Sequence, residues 1–213
     1  MNEQQIEQHN TEELILLSAE KEFLEKGYSG AKTTAIAEAA GVTHAMLHYY
    51  FRTKDKLFEK IIADKMARLG EILFGVLSNR DLSLRENIEL GVTSHFDFLA
   101  ANPSLPRFIF NELYCNPQRL ETMKNSILAM ASQTIGNLQQ VIDENAALGR
   151  CRRVNAAMLL LDIVSLNIFP FVAEPIINVV AGCVFESKDD FLERRKRENV
   201  NTILHKLEIK GDD

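Results

Sequence analysis

The chain has 213 residues, 46% hydrophobic and 25% charged, enough apolar material to bury a real core in one or two domains. Its 24 basic residues against 30 acidic ones give a net charge of -6, so no global positive field draws it to nucleic acid or anionic lipid. Any polyanion binding must be local. The three cysteines, Cys115, Cys151 and Cys183, are odd in number, widely spaced and free of a CxxC pattern, which argues against a disulfide framework or a zinc site and for reduced thiols. The opening MNEQQIEQHNTEE is polar and acidic where an export signal is basic and then apolar, and together with the cysteines it implies a cytoplasmic protein. The most apolar stretch, 168–184, carries Glu174 and two prolines, and the run 158–164 is cut by Asp162, so neither reads as a membrane span.

The low glycine and proline counts (10 and 5), the lack of alternating Val/Ile/Thr runs, and apolar residues recurring at three-to-four spacing imply an all-α fold. About nine helices are expected, near 11–26, 34–40, 44–50, 54–78, 83–101, 103–114, 117–147, 152–182 and 188–208. Their starts rest on cap signals: Asn10 with Glu13, Ser83 with Glu86, Ser187 with Asp190, and the pairs Asn102-Pro103 and Asn116-Pro117. The eighth is expected to bend or break at Pro170 and Pro175, where each proline removes a helical donor. Before Lys54 the helices are short and punctuated by Gly27, Gly30 and Gly41; after it they are long. This suggests a small N-terminal module, 1–53, feeding a larger helical body, 54–213, through a shared helix.

In the first module Ile15, Leu16, Ala19 and Phe23 form one helical stripe that ends at Gly27-Tyr28. The following TTAIAEAAGVTHAMLHYYF, 33–51, has the arithmetic of a helix-turn-helix. Ile36, Ala37 and Ala40 supply an inner face, with Ala37 small enough for a close helix crossing; Gly41 can take positive φ in the turn; Val42, Leu47 and Phe51 line the second helix. The other face of that helix is left for a groove. Over 32–56 four bases stand against Glu38 and Asp55, so this face is locally basic although the chain is acidic.

The stretch from Ile15 to Phe58, with FLEKGYSGAKTTAIAEAAGV, then THAMLHYYF, then RTKDKLF, resembles the DNA-binding domain of the TetR family of bacterial repressors. The resemblance implies a homodimeric, sequence-specific transcription regulator with a C-terminal effector and dimerisation domain. It implies that Thr34 and Thr43, at helix starts, face phosphates, since helix N-termini present unpaired N–H groups to anions. It gives His44, Ala45 and Met46 to base edges, Tyr49 and Tyr50 to phosphates and sugars, and Lys54 to the DNA backbone. His48 stands where the family usually has Tyr, so its contact is either a plain polar one or one that titrates.

The second body is rich in bulky apolar residues, most of them needed as core. The family's implied pocket lies among these helices, and Met66, Leu69, Leu73, Phe96, Leu99, Phe108, Met123 and Ile127 are its apolar candidates. The polar residues His95, Asn111, Glu112 and Asn167 sit inside apolar stretches, where burial obliges them to find partners. Density of Phe and Met suggests a small, largely apolar effector of unknown identity. The family pairs its last two long helices with their copies in a four-helix bundle, and Leu159, Leu160, Ile163, Leu166, Val200, Ile203, Leu204 and Leu207 would provide the apolar faces. The basic run Arg194 to Arg197 is flanked by Glu193 and Glu198 and reads as a solvated or inter-subunit face. No Gly-rich phosphate loop, GxSxG elbow or HExxH appears, so no enzyme, cofactor or metal is expected. The rival class is a helical scaffold or adaptor without specific DNA binding.

Overall fold

A computed structural model describes residues 3–77 and 81–209, and every regular element among them is a helix. Two compact units divide the chain, Met1–Arg68 and Leu69–Asp213.

In the first unit α1 (Glu3–Gly30) starts well before Asn10, which therefore lies inside the helix and caps nothing. A residue type that favours caps is tolerated mid-helix when the chain upstream continues the pattern. The helix is interrupted where expected, at Gly27, with φ 69° and ψ 171°. Ile15, Ala19 and Phe23 are buried on one stripe. α2 (Thr33–Ala39) buries Ile36 and Ala37, and Gly41 follows with φ 68°. The Gly41 amide donates to Glu38 O at 3.1 Å and the Val42 amide to Ala37 O at 3.0 Å, the paired closure of a helix C-terminus that needs a left-handed residue. α3 (His44–Tyr50) then starts under the Thr43 cap, whose Oγ1 accepts from Met46 N at 3.1 Å. α4 (Lys54–Leu77) buries Leu57, Phe58, Ile61 and Ile62 near its start and carries residues of both units.

The second unit holds α5 (Leu84–Ala101), α6 (Leu105–Cys115), α7 (Pro117–Ala147), α8 (Ala156–Val172), α9 (Glu174–Ala181) and α10 (Lys188–Leu207). Ser83 and Glu86 close a reciprocal capping box on α5, and Ser187 Oγ accepts from Asp190 N at 3.1 Å at the head of α10. The Asn-Pro signals are used otherwise. Asn102 finishes α5, its Nδ2 donating to Phe98 O at 2.8 Å, so α6 starts later, with Pro106 in its first turn. Asn116 precedes Pro117 at the head of α7 but makes no side-chain cap bond.

The expected eighth helix is two. α8 starts at Ala156 because Asn155 Oδ1 accepts from Met158 N at 3.0 Å, and this leaves Arg152 and Arg153 in the preceding turn, paired with Glu208 at 3.1 Å and Asp143 at 2.7 Å. Pro170 stays inside α8, while Pro175 opens α9, where its missing N–H leaves nothing unsatisfied. The two helices meet at a 78° bend. Among the described residues no single helix is long and apolar enough to cross a membrane; α8 and α9 reach that length and composition only together, across the bend.

α5 organises this unit. Its Leu84, Ile88 and Val92 pack in one cluster with Leu138 and Ile142 of α7, Ala156, Leu159 and Ile163 of α8, and Ile203, Leu204 and Leu207 of α10. Leu159, Ile163, Ile203, Leu204 and Leu207 are therefore used inside the protomer and are not free for a second copy, and Leu160, Leu166 and Val200 are partly buried against the same cluster. The apolar residues that α8 leaves outside are Met158, Leu161 and Phe169. On α10 two members of the basic run are held by acids: Arg194 pairs with Asp190 at 2.7 Å, and Lys196 with Asp97 at 2.9 Å and Glu193 at 2.8 Å.

Two glycine substitutions should move stability in opposite directions. A methyl at Gly41 meets nothing within 4 Å, but its φ of +68° strains any L side chain, so Gly41→Ala should cost about 1–2 kcal/mol. Gly136 lies inside α7 with the same open space and no positive φ, so Gly136→Ala should gain up to about 1 kcal/mol. Urea unfolding of the two variants beside the parent measures both signs.

Candidate functional site

α3 buries only Leu47 of its seven residues. Thr43, His44, Ala45, Met46, His48 and Tyr49 are exposed, Tyr49 at 76% of its surface, and Tyr50 is half-buried with its ring 5.5 Å from that of Tyr49. His44 is less free than its exposure suggests, since its Nε2 lies 3.0 Å from Thr33 Oγ1 and its ring stands edge-on to His48 at 4.4 Å. His48 Nδ1 lies 3.3 Å from Arg52 O, and because a carbonyl only accepts, that nitrogen is the donor. Thr34 is exposed in the first turn of α2, whose N-terminus has no side-chain cap, so its first amides remain donors for an anion. Thr33 escaped the sequence reading because its partner lies eleven residues away on another helix.

Lys54 does two things at once. Its Nζ donates to Ala31 O at 2.6 Å and sits 4.5 Å from the centre of the Tyr28 ring, closing the α1–α2 connection onto the head of α4. The Tyr28 ring stacks on Phe23 and meets Phe58 edge-on, and its hydroxyl donates to Asp55 Oδ1 at 2.6 Å. Beneath this clasp Glu22 accepts from Lys26 Nζ at 2.8 Å and from the Lys32 amide at 3.2 Å. The Lys26 hydrogen bond, helped by the Lys32 amide, holds its carboxyl below the usual carboxylate range despite burial.

The second unit brings two of the four polar pocket candidates together. His95 and Asn167 are wholly buried, and Asn199 of α10, which no sequence pattern singled out, joins them at 1% exposure. Asn167 Nδ2 donates to Val92 O and to His95 Nδ1, each at 2.9 Å; Asn199 Nδ2 donates to Leu166 O at 3.1 Å and to Asn167 Oδ1 at 2.8 Å. Among the described residues, His95 Nε2 and Asn199 Oδ1 are buried without partners. Burial pushes the His95 imidazole down to about 4, so it is neutral near pH 7. Phe96 and Leu99 of α5 pack with Phe171 of α8 beside it. Phe108 is buried on α6, Met66, Leu69 and Glu112 are half-buried, and Asn111 is exposed. Leu73, Met123 and Ile127 lie outside the residues whose side chains are described. Among the described residues no three His, Cys, Asp or Glu side chains gather as a metal would require.

A short, outward-facing second helix behind a glycine turn, ahead of a larger helical unit, defines a helix-turn-helix DNA-binding regulator. Residues 15–61 match the model of the bacterial regulatory proteins of the tetR family, and residues 85–203 match that of the tetracyclin repressor-like C-terminal domain. The chain belongs to the TetR family of bacterial transcriptional regulators, proteins that bind operator DNA and act as dimers rather than as enzymes. It is 25% identical over 137 residues to the regulator YdgC of Bacillus subtilis, covering 61% of this chain and 69% of that protein. It is 40% identical over 62 residues to the repressor BepR of Brucella suis, covering 29% and 30%. A Bacillus subtilis fatty acid metabolism regulator protein is 25% identical over 114 residues, covering 54% of this chain and 58% of that protein. In fold it is similar to a transcriptional regulator of Streptomyces coelicolor, with a TM-score of 0.70 at 20% identity over 94% of this chain and 99% of that one.

The neutral, buried His95 sets a pH dependence. An unfolded histidine takes a proton near pH 6.5, whereas the folded one resists until about 4, so stability is lost as pH falls through that window. Between pH 7 and pH 5 this residue should cost about 2 kcal/mol of stability, and His95→Gln should flatten that part of the profile. Denaturant titrations at the two pH values measure the difference.

Proposed function

We propose that this regulator is a dimeric repressor that grips a roughly palindromic operator and releases it when a small, largely apolar effector binds the C-terminal domain. The observation that carries the reading is α3 itself, a helix that buries Leu47, half-buries Tyr50 and exposes its other five residues. With residues 1–53 as the DNA-binding domain and 54–213 as the effector and dimerisation domain, the roles follow the helix. Thr34 and Thr43 meet phosphates, His44, Ala45 and Met46 meet base edges, and His48, Tyr49, Tyr50 and Lys54 meet the backbone. The Thr33 hydroxyl beside His44 supports a role in aiming that ring. The effector lodges in the second unit near His95, Phe96, Leu99 and Asn167, and the fatty acid metabolism regulator among the similar proteins supports an apolar compound. The dimer pairs the last two long helices, with Met158, Leu161 and Phe169 as the contribution of α8, since they are apolar and uncovered in one protomer.

Selection from random duplexes should enrich an inverted repeat with half-sites about 34–36 Å apart. No enrichment, and no DNA retention at physiological salt, would favour a scaffold. Lys54→Ala should weaken binding to all sequences and lower the salt slope by about one unit, whereas His44→Ala should relax preference at one base pair by about 1–3 kcal/mol. Because Lys54 also closes a loop onto α4, its binding is to be measured well below the variant's melting temperature.

Leu161→Asp places a charge on a side chain that is 61% exposed in the protomer. It should leave helical content intact and shift sedimentation from dimer to monomer; an unchanged dimer would move the interface elsewhere.

A further inference from the structure

Two backbone carbonyls fix every hydrogen in the buried cluster. Val92 O and Leu166 O can only accept, so the amide nitrogens of Asn167 and Asn199 must face them. Asn167 Oδ1 then faces Asn199 Nδ2, and the remaining N–H of Asn167 points at His95 Nδ1. That nitrogen must be the bare one, so the imidazole proton sits on Nε2. The outcome is a wholly buried N–H donor with no acceptor. Buried donors of this kind are rare in folded proteins and call for an accepting partner.

The surroundings narrow that partner. One helical turn beyond His95 is Leu99, and one turn beyond Asn167 is Phe171; both belong to an apolar cluster with Phe96 and Ile168. We propose that His95 Nε2–H is the polar anchor of the effector site, and that the effector is an apolar molecule carrying a carbonyl or carboxylate oxygen to accept from it. Asn167 and Asn199 are positioning residues that hold the tautomer. The other loose end, Asn199 Oδ1, is an acceptor and does not compete for the same ligand atom. A protonated amine offers only donors and cannot accept from His95 Nε2–H. The proposal rests on the effector reading above and names the chemistry that reading left open.

The test uses the full chain with 15N-labelled histidine and three ten-carbon probes, 2-decanone, decanoate and decylamine. Without a probe, His95 should show the Nε2–H tautomer. 2-decanone, decanoate or both should bind and shift the His95 Nε2 resonance, and decylamine should not. His95→Phe, which keeps the volume without the donor, should lose at least about tenfold in affinity for the oxygen-bearing probe, while His95→Gln, which keeps an N–H, should retain most of it. Asn167→Ala should disturb the tautomer. An Nδ1–H tautomer, a failure of both oxygen-bearing probes to bind, or equal affinity in His95→Phe would overturn the proposal, and if His95→Phe fails to fold, the tautomer and the His95→Gln affinity still decide. Retention of the selected duplex by the probe-free protein is measured alongside, so a failed anchor is distinguishable from a failed regulator.

Discussion

Seven residues make too short a helix to persist on its own hydrogen bonds, and α3 is such a helix. It stands only because its two ends are fixed from outside: Gly41 ends α2 in a conformation open to few other residues, Thr43 caps the next turn, and Phe51 closes the far end while Leu47 anchors the middle. Those anchors need a floor, and the floor is the aromatic group of Phe23, Tyr28 and Phe58, tied by Lys54 and Glu22. The first unit is in this sense a mount for one helix.

The second unit obeys a different constraint. α5 is covered by α7, α8 and α10, and an apolar packing would suffice to hold them. Instead one end of this core carries three polar side chains whose bonds to one another and to the Val92 and Leu166 carbonyls use up all but one donor and one acceptor among the described residues. A fully apolar substitute would avoid the cost of those loose ends, so the cluster is poor material for stability and better material for recognition.

Local chemistry was legible in the sequence and long-range use was not. Gly41 and Thr43 could be read because a turn and a cap are decided within four residues, and the capping pairs at Ser83 and Ser187 followed the same logic. Asn10, Asn102 and Asn116 carry an equal local signal, yet one lies inside a helix, one ends a helix, and one makes no cap bond. Pro170 and Pro175 look alike in sequence; only the packing decides which of them breaks the chain. The apolar stripes of α8 and α10 showed that those helices bury a face but not that their own protomer would cover it. In the site, His95 and Asn167 stood out as polar residues in apolar runs, whereas Asn199 and Thr33 matter only through partners that no spacing rule connects.

The exposure of Ala45, Met46 and Tyr49 has a consequence for descent. These side chains make little contribution to the core, so replacing them alters what the helix touches while leaving the mount intact. On the DNA-contact roles proposed above, a duplicated copy of this gene could therefore change its target site by single substitutions without passing through an unstable intermediate. The buried cluster offers no such freedom, because altering one of its three members strands the other two. On the roles proposed above for the two regions, descendants of this protein should diverge early in the sites they occupy and late in the compounds they answer to.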